Sequence, residues 1–240
     1  MVEEIDVYKL LHQRLVAGGF VADLKLQPEL LRKDYQCSAS TIREALFRLS
    51  TVGLVSFKEQ RGFRVPKVSR VVQHELTHMR ILLECEGACL SIRLGGVAWE
   101  ARLSAAHHKL SHIEMRARSK EELEPLFDLW STAEQEFHET LIDACGSSTL
   151  KRTHSIIYQQ FRQQLINADS DTIYVPENIL QHQGILEAAL DRDEDLLRRL
   201  IHDHLSRNLA QPLPEKNLGN LLTVSFPKEF QVSAIAVSGL

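Results

Sequence analysis

Four side chains in the C-terminal half have types and spacings suited to holding a divalent metal. Glu134 and His138 stand four apart in AEQEFHETL, so both lie on one face of a helix. His182 opens the segment QHQGILEAAL, and His204 lies in RDEDLLRRLIHDHL. One carboxylate and three imidazoles from three helices can converge on one ion in a bundle core and leave coordination positions open to a ligand. A second pattern competes with this one. His74-Glu75-Leu76-Thr77-His78 reads HExxH, in which two histidines bind zinc and the glutamate acts as general base. Zinc hydrolase chemistry at 74–78 is therefore the alternative. Of the eleven histidines, His202 falls two residues from His204 and faces away from it, and His107, His108 and His112 are expected at the surface.

The elements that must position these groups follow from periodicity. Beyond Pro66 the chain is helical in pattern, with helices expected near 71–95, 97–117, 120–144, 148–168, 178–191 and 194–209. Gly146-Ser147-Ser148 and the 169–177 stretch (DSDTIYVPE) are the clearest breaks. The first 65 or so residues differ. Ile5, Tyr8, Leu11, Leu15 and Val16 make one helical stripe ended by Gly18-Gly19. A short helix follows near Gln27–Tyr35, with Pro28 suited to its first turn. A third begins near Ser40 or Thr41, where Thr41 and Glu44 fit a capping box, and Ile42, Ala45, Leu46 and Leu49 form its apolar stripe up to Gly53. Leu54–Lys58 and Phe63–Pro66 then read as a hairpin around Glu59-Gln60-Arg61-Gly62. Three short helices and a hairpin describe a winged helix-turn-helix. The expected architecture is mostly α: a winged helix-turn-helix over 1–68, an all-α helical bundle over 69–210, and a C-terminal extension over 211–240 with no assigned role.

Charge divides at the same boundary. Residues 1–70 carry 12 Lys/Arg against 8 Asp/Glu, whereas residues 71–240 carry 16 against 24. A basic head on an acidic body suits a polyanion-binding module joined to a second unit. Arg43 lies beside the apolar stripe of the third helix, free to reach a guanine edge. Ser38, Ser40 and Thr41 offer hydroxyls and backbone N–H groups at a helix start, a phosphate site. Arg61 beside Gly62 at the hairpin tip can approach a DNA backbone, and Lys58, Arg64 and Lys67 supply phosphate neutralisation. No apolar run reaches the roughly 18 residues of a membrane helix, which points to a cytoplasmic protein without a membrane partner. Cys37, Cys85, Cys89 and Cys145 form no CxxC pair and read as free thiols.

The stretch Leu26–Leu54, ending in STIREALFRLSTVGL, and QRGFRV in the hairpin resemble the N-terminal domain of GntR-type transcription regulators. The resemblance implies sequence-specific binding of duplex operator DNA, with the third helix in the major groove and the wing near the minor groove. The chain departs from that pattern at Gln27-Pro28-Glu29, where the family has Ser-Glu-Arg, at Ala39, where a basic residue is common, and at Thr41, where a proline is common. Arg32 is the residue placed to compensate for Glu29. An acid four residues before His138, then His182 ahead of ILEAAL, and His204 eleven residues after Asp193 resemble the all-helical FCD effector domain. Many members hold a metal with one Asp and three His, which implies Glu134, His138, His182 and His204 as ligands here. Zinc is the expected metal, with nickel or manganese as alternatives. Arg80 and Arg162 lie on helices that the family folds around the pocket, where either can pair with a small carboxylate effector or form a salt bridge within the bundle. The resulting expectation is a ligand-responsive regulator, a repressor acting as a homodimer, and not an enzyme. A metal-free pocket for a larger apolar acid is a further alternative.

Overall fold

The computed structural model describes residues 6–117, 122, 124–168 and 178–209. Ile5, the 169–177 break and the 211–240 extension lie outside the described residues. Among the described residues, no helix is long and apolar enough to cross a membrane.

The head is built from α1 (Val7–Val16), β1 (Lys25–Leu26), α2 (Pro28–Asp34), α3 (Ala39–Thr51), β2 (Ser56–Lys58) and β3 (Gly62–Arg64). The strands form one antiparallel sheet in the order β1-β3-β2, with Leu26 opposite Phe63 and Phe57 opposite Phe63 on its other side. The expected hairpin is present, and β1 adds a strand that the sequence pattern did not reveal. The stripe Ile42, Ala45, Leu46 and Leu49 is buried against Leu11, Leu15 and Leu31. Removal of this apolar surface from water is the main force holding the head together. One expectation needs correction. Ser38, not Thr41, caps α3, because Ser38 is extended and its side chain accepts from Thr41 N at 3.1 Å, while Thr41 is already helical.

The body comprises α4 (Arg70–Leu94), α5 (Val97–Arg116), a 3₁₀ turn at Glu124–Leu126, α6 (Phe127–Leu141), α7 (Ser148–Ala168), α8 (Asn178–Leu190) and α9 (Glu194–Ser206). Of the helix expected near 120–144, Phe127–Leu141 forms α6 and Glu122 is helical too, while 120, 121 and 123 lie outside the described residues. Pro125 lacks the N–H that a helix interior requires, so the turn ahead of Phe127 tightens instead. Helix α4 packs against α7 on one side and α9 on the other, α5 packs against α6 and α8, and α8 against α9. Ile81, Ala88, Ile92, Leu103, Phe137, Ile185 and Ile201 fill the space between them. Four free cysteines are present, and burial pushes the Cys85 thiol up to about 12. That thiol is packing material rather than a reactive group.

Candidate metal and anion centre, and the nucleic-acid face

Three helices of the body deliver three histidines to one point. His138 comes from the fully buried face of α6, His182 from the second turn of α8, and His204 from the end of α9. The start of α9 is fixed by Asp193, whose carboxylate accepts from Leu196 N at 2.9 Å. One ring nitrogen from each histidine lies within 4.8 Å of the others. The outer nitrogens are all engaged: His138 Nδ1 lies 2.7 Å from Glu84 Oε2, His182 Nδ1 3.2 Å from Glu114 Oε1, and His204 Nδ1 2.9 Å from Gln181 Oε1. Each acceptor sets the tautomer, so Nδ1 carries the proton and Nε2 keeps its lone pair. His138 Nε2 and His182 Nε2 are buried without a hydrogen-bond partner. Buried nitrogens are ordinarily satisfied, so the donor set fits a divalent ion held by three imidazoles. His74 and His78 are not part of this group.

Glu134 is held differently from the expectation that it completes the ligand set. Tyr158 donates its hydroxyl to Glu134 Oε2, Arg162 Nη1 lies 3.7 Å from the same oxygen, and Arg80 Nη2 lies 3.8 Å from Oε1. His138 Nε2 is 3.5 Å from Oε1. Burial disfavours the charge, yet Arg162, then His138 and Arg80, hold Glu134 below the ordinary carboxylate range. The carboxylate is thus drawn toward two arginines rather than grouped with the histidines.

Arg80 and Arg162 are themselves buried and form ion pairs within the bundle, Arg80 with Glu84 at 2.6 Å and Arg162 with Glu134 at 3.7 Å. Arg80 lies over the Tyr158 and Phe161 rings at 4.6 and 4.8 Å, and Arg162 over Trp130 at 4.9 Å. Arg80 Nη2 and Arg162 Nε find no hydrogen-bond partner. A cavity of about 40 Å³ lies against Arg80, Trp130, Glu134, Phe161, Arg162 and His204. The two unsatisfied guanidinium N–H groups of Arg80 and Arg162 are donors that can receive a small anion.

Sequence reasoning missed the groups that support this centre. Glu84 is fully buried and takes Arg80 Nε at 2.6 Å, His154 Nε2 at 2.9 Å and His138 Nδ1. Burial opposes its charge, but Arg80 and His138 hold its carboxyl well below the usual range. His107, expected at the surface, is buried edge-on against Phe137, because its turn of α5 faces α6. His108, His112 and His202 are exposed.

Burial pushes His204 well below the ordinary imidazole range, with His182 and His138 adding to it, and burial also lowers His138 against the pull of Glu84. Both rings take up a proton less readily in the fold than in the unfolded chain, which does so as the pH falls through about 6.5. The unfolded state then binds more protons, so stability drops with acidification. Denaturant unfolding of the chelated protein is expected to show ΔG falling from about pH 7.5 to about pH 5.5, by up to roughly 1.4 kcal/mol per pH unit for each such ring. A flat profile would contradict this resistance of the buried imidazoles to protonation.

On the head, Arg43, Ser40 and Thr41 are exposed on the first turns of α3, beside the capping Ser38. Lys58 and Arg61 are exposed on the hairpin, and Gly62 takes φ +73° with open space around it. A groove of about 790 Å³ is lined by Lys25, Lys58, Arg61, Gly62, Arg64 and Lys67. Arg64 is partly committed within the head, donating to Asp23 O at 2.8 Å, and Arg32 pairs with Glu29 at 3.3 Å.

Comparison with known proteins gives a consistent picture. Residues 75–207 match the FCD domain, and residues 5–65 match the bacterial regulatory proteins of the gntR family. The chain is 32% identical over 206 residues to the HTH-type transcriptional regulator BphR of Paraburkholderia xenovorans (strain LB400), covering 85% of this chain and 82% of that one. It is 29% identical over 214 residues to the HTH-type transcriptional repressor GlaR of Escherichia coli (strain K12), covering 85% and 93%. Among solved structures, E. coli McbR/YncC superposes with a TM-score of 0.72 at 18% identity, covering 85% of this chain and 94% of that one, a likeness of fold.

Proposed function

This chain belongs to the gntR family of bacterial regulatory proteins and carries an FCD domain, and from that premise we propose that it is a cytoplasmic repressor controlled by a small carboxylate. In this reading residues 1–68 form the operator-binding unit and 69–210 the sensing unit. The observation that carries the proposal is the pair of buried, unpartnered Nε2 atoms of His138 and His182, facing His204. Those three histidines would hold zinc, or nickel or manganese in its place. A divalent ion bound there supplies Lewis-acid coordination positions for an acid. Arg80 and Arg162 orient that acid through their free N–H groups, and Trp130 and Phe161 shield it from water. Glu134 competes for the same guanidinium groups, so an entering carboxylate shifts it. The small cavity favours an acid of few atoms over a bulky apolar one.

At the operator, Arg43 reads a guanine edge in the major groove, and Ser38, Ser40 and Thr41 hold phosphates. Arg61 and Gly62 bring the wing to the minor groove, with Lys58 on the backbone and Arg64 and Arg32 in supporting roles. A homodimer matches a near-palindromic site. Exposed Val71, Met79 and Leu82 recur on one stripe of α4 and offer a seam for the second copy.

The test starts from duplexes that the purified protein selects out of a random library. Operator affinity is then measured across salt concentrations, with zinc or chelator, against a panel of small mono- and dicarboxylates. Binding is expected to weaken steeply with salt, and one acid is expected to change affinity by about 5- to 150-fold only when zinc is present. An acid effect that survives chelation would favour the metal-free pocket, and no effect from any acid would remove the effector reading.

A further inference from the structure

Helix α7 has two faces with different neighbours. At 3.6 residues per turn, His154, Tyr158, Phe161, Arg162 and Leu165 share one side. These face the pocket, through His154 to Glu84, Tyr158 and Arg162 to Glu134, and Phe161 to Arg80. The other side carries Gln160, Gln163 and Gln164, and their amides reach the head. Gln160 Nε2 donates to Val52 O at 2.9 Å, Gln163 Nε2 to Leu54 O at 3.0 Å, and Gln164 Nε2 to Lys67 O at 3.0 Å. Gln164 Oε1 in turn accepts from Ser69 N at 3.0 Å. Val52 directly follows α3, Leu54 leads into β2, and Lys67–Ser69 connects the head to α4.

These contacts are specific rather than incidental. Gln163 and Gln164 are 2% and 4% exposed, and a buried amide is unfavourable unless its donors are met. Each donor here meets a main-chain carbonyl, which an apolar side chain at the same place would leave unsatisfied. The head is also shaped for close approach. Gly53 has φ +74°, and a Cβ on it would come within 2.6 Å of Gln160 Nε2. Gly18 has φ +74° as well, and a Cβ there would lie 2.2 Å from Ile166 Cγ2. Glycine at the ends of α1 and α3 is what lets α7 close onto both.

We propose that Gln160, Gln163 and Gln164 are positioning residues that tie the placement of the DNA-reading head to the state of the pocket. Any shift of α7 at its pocket face is delivered through their amides to the end of α3, the start of the wing and the connection to α4. The proposal rests on reading the pocket as the control site, and coupling of this kind requires that the two states differ in head placement.

The test uses the full chain with zinc alone as the probe. Zinc affinity is titrated first, for wild type and for Gln160→Ala/Gln163→Met, which nearly preserves side-chain length at 163 and removes both donors. Gln160→Ala alone serves if the double change fails to fold. Amide exchange over 52–58 and 67–70 is then read with and without zinc. In wild type, zinc is expected to change exchange there by about fivefold or more. The variant is expected to bind zinc within about twofold of wild type while that response disappears. Zinc binding without any response in the wild-type head, or an undiminished response in the variant, would overturn the proposal. Should zinc fail to bind wild type, the metal reading falls on its own, and coupling is read from Arg162→Ala. That change must alter exchange over 52–58 in the wild-type background and not in the glutamine variant. Equal effects in both backgrounds, or none in either, would overturn the coupling.

Discussion

Glu84→Ala is expected to lower the unfolding free energy by about 3–5 kcal/mol, as breaking a buried ion pair by deleting one partner does. Glu84 is 0% exposed and receives Arg80 from its own helix, His138 from α6 and His154 from α7. Deleting it leaves the Arg80 guanidinium, 1% exposed, with only Glu134 at 3.8 Å as a counter-charge. Three helices lose a common acceptor in one step. The same change removes the group that fixes the His138 tautomer, so zinc affinity is expected to fall by about 10- to 100-fold. Denaturant unfolding and a zinc titration check the two effects separately. A loss below about 1 kcal/mol would mean that the cluster relaxes around the missing carboxylate.

Arg43→Ala is expected to weaken operator binding by about 1–3 kcal/mol, roughly 5- to 150-fold, and to relax preference at one base pair. Arg43 is exposed on α3 and, among the described residues, carries no ion pair, unlike Arg32 and Arg64. Lys58→Ala should instead weaken all duplexes alike and reduce the salt slope by about one. Repeating the duplex selection with each variant separates the two outcomes. An unchanged base preference for Arg43→Ala would show that the guanidinium contacts backbone only.

Much of the fold was legible in the sequence because it rests on local periodicity. The Ile42, Ala45, Leu46, Leu49 stripe and the body helices follow from 3.6-residue spacing. What failed depended on choices between overlapping local signals or on distant partners. Ser38 and Thr41 both suit an N-cap, and the extended backbone at Ser38 decides between them. Two-residue β1 has no alternation to read and exists only because β3 pairs with it. Pro125 sits in a 3₁₀ turn at Glu124–Leu126 within the expected helix, a local break that the apolar periodicity on either side does not report.

The candidate site divides in the same way. His138, His182 and His204 were readable from helix spacing together with the FCD resemblance, and the structure brings all three together. Their supports were not, since Glu84, Glu114 and Gln181 lie 54, 68 and 23 residues away in sequence and meet the rings only across helices. Glu134 lies on the face its spacing predicts, yet Tyr158 and Arg162, contributed by α7, draw its carboxylate to themselves. Spacing along one helix reports which residues share a face, and nothing about competition from the next helix.

The most direct test of the central claim is the metal content of the purified protein beside a His138→Ala/His182→Ala variant confirmed to be folded. Wild type supplied with zinc is expected to carry about one divalent ion per chain, and the variant none. Retention of the ion by the variant, or a wild type that binds none, would contradict a metal centre built on these histidines.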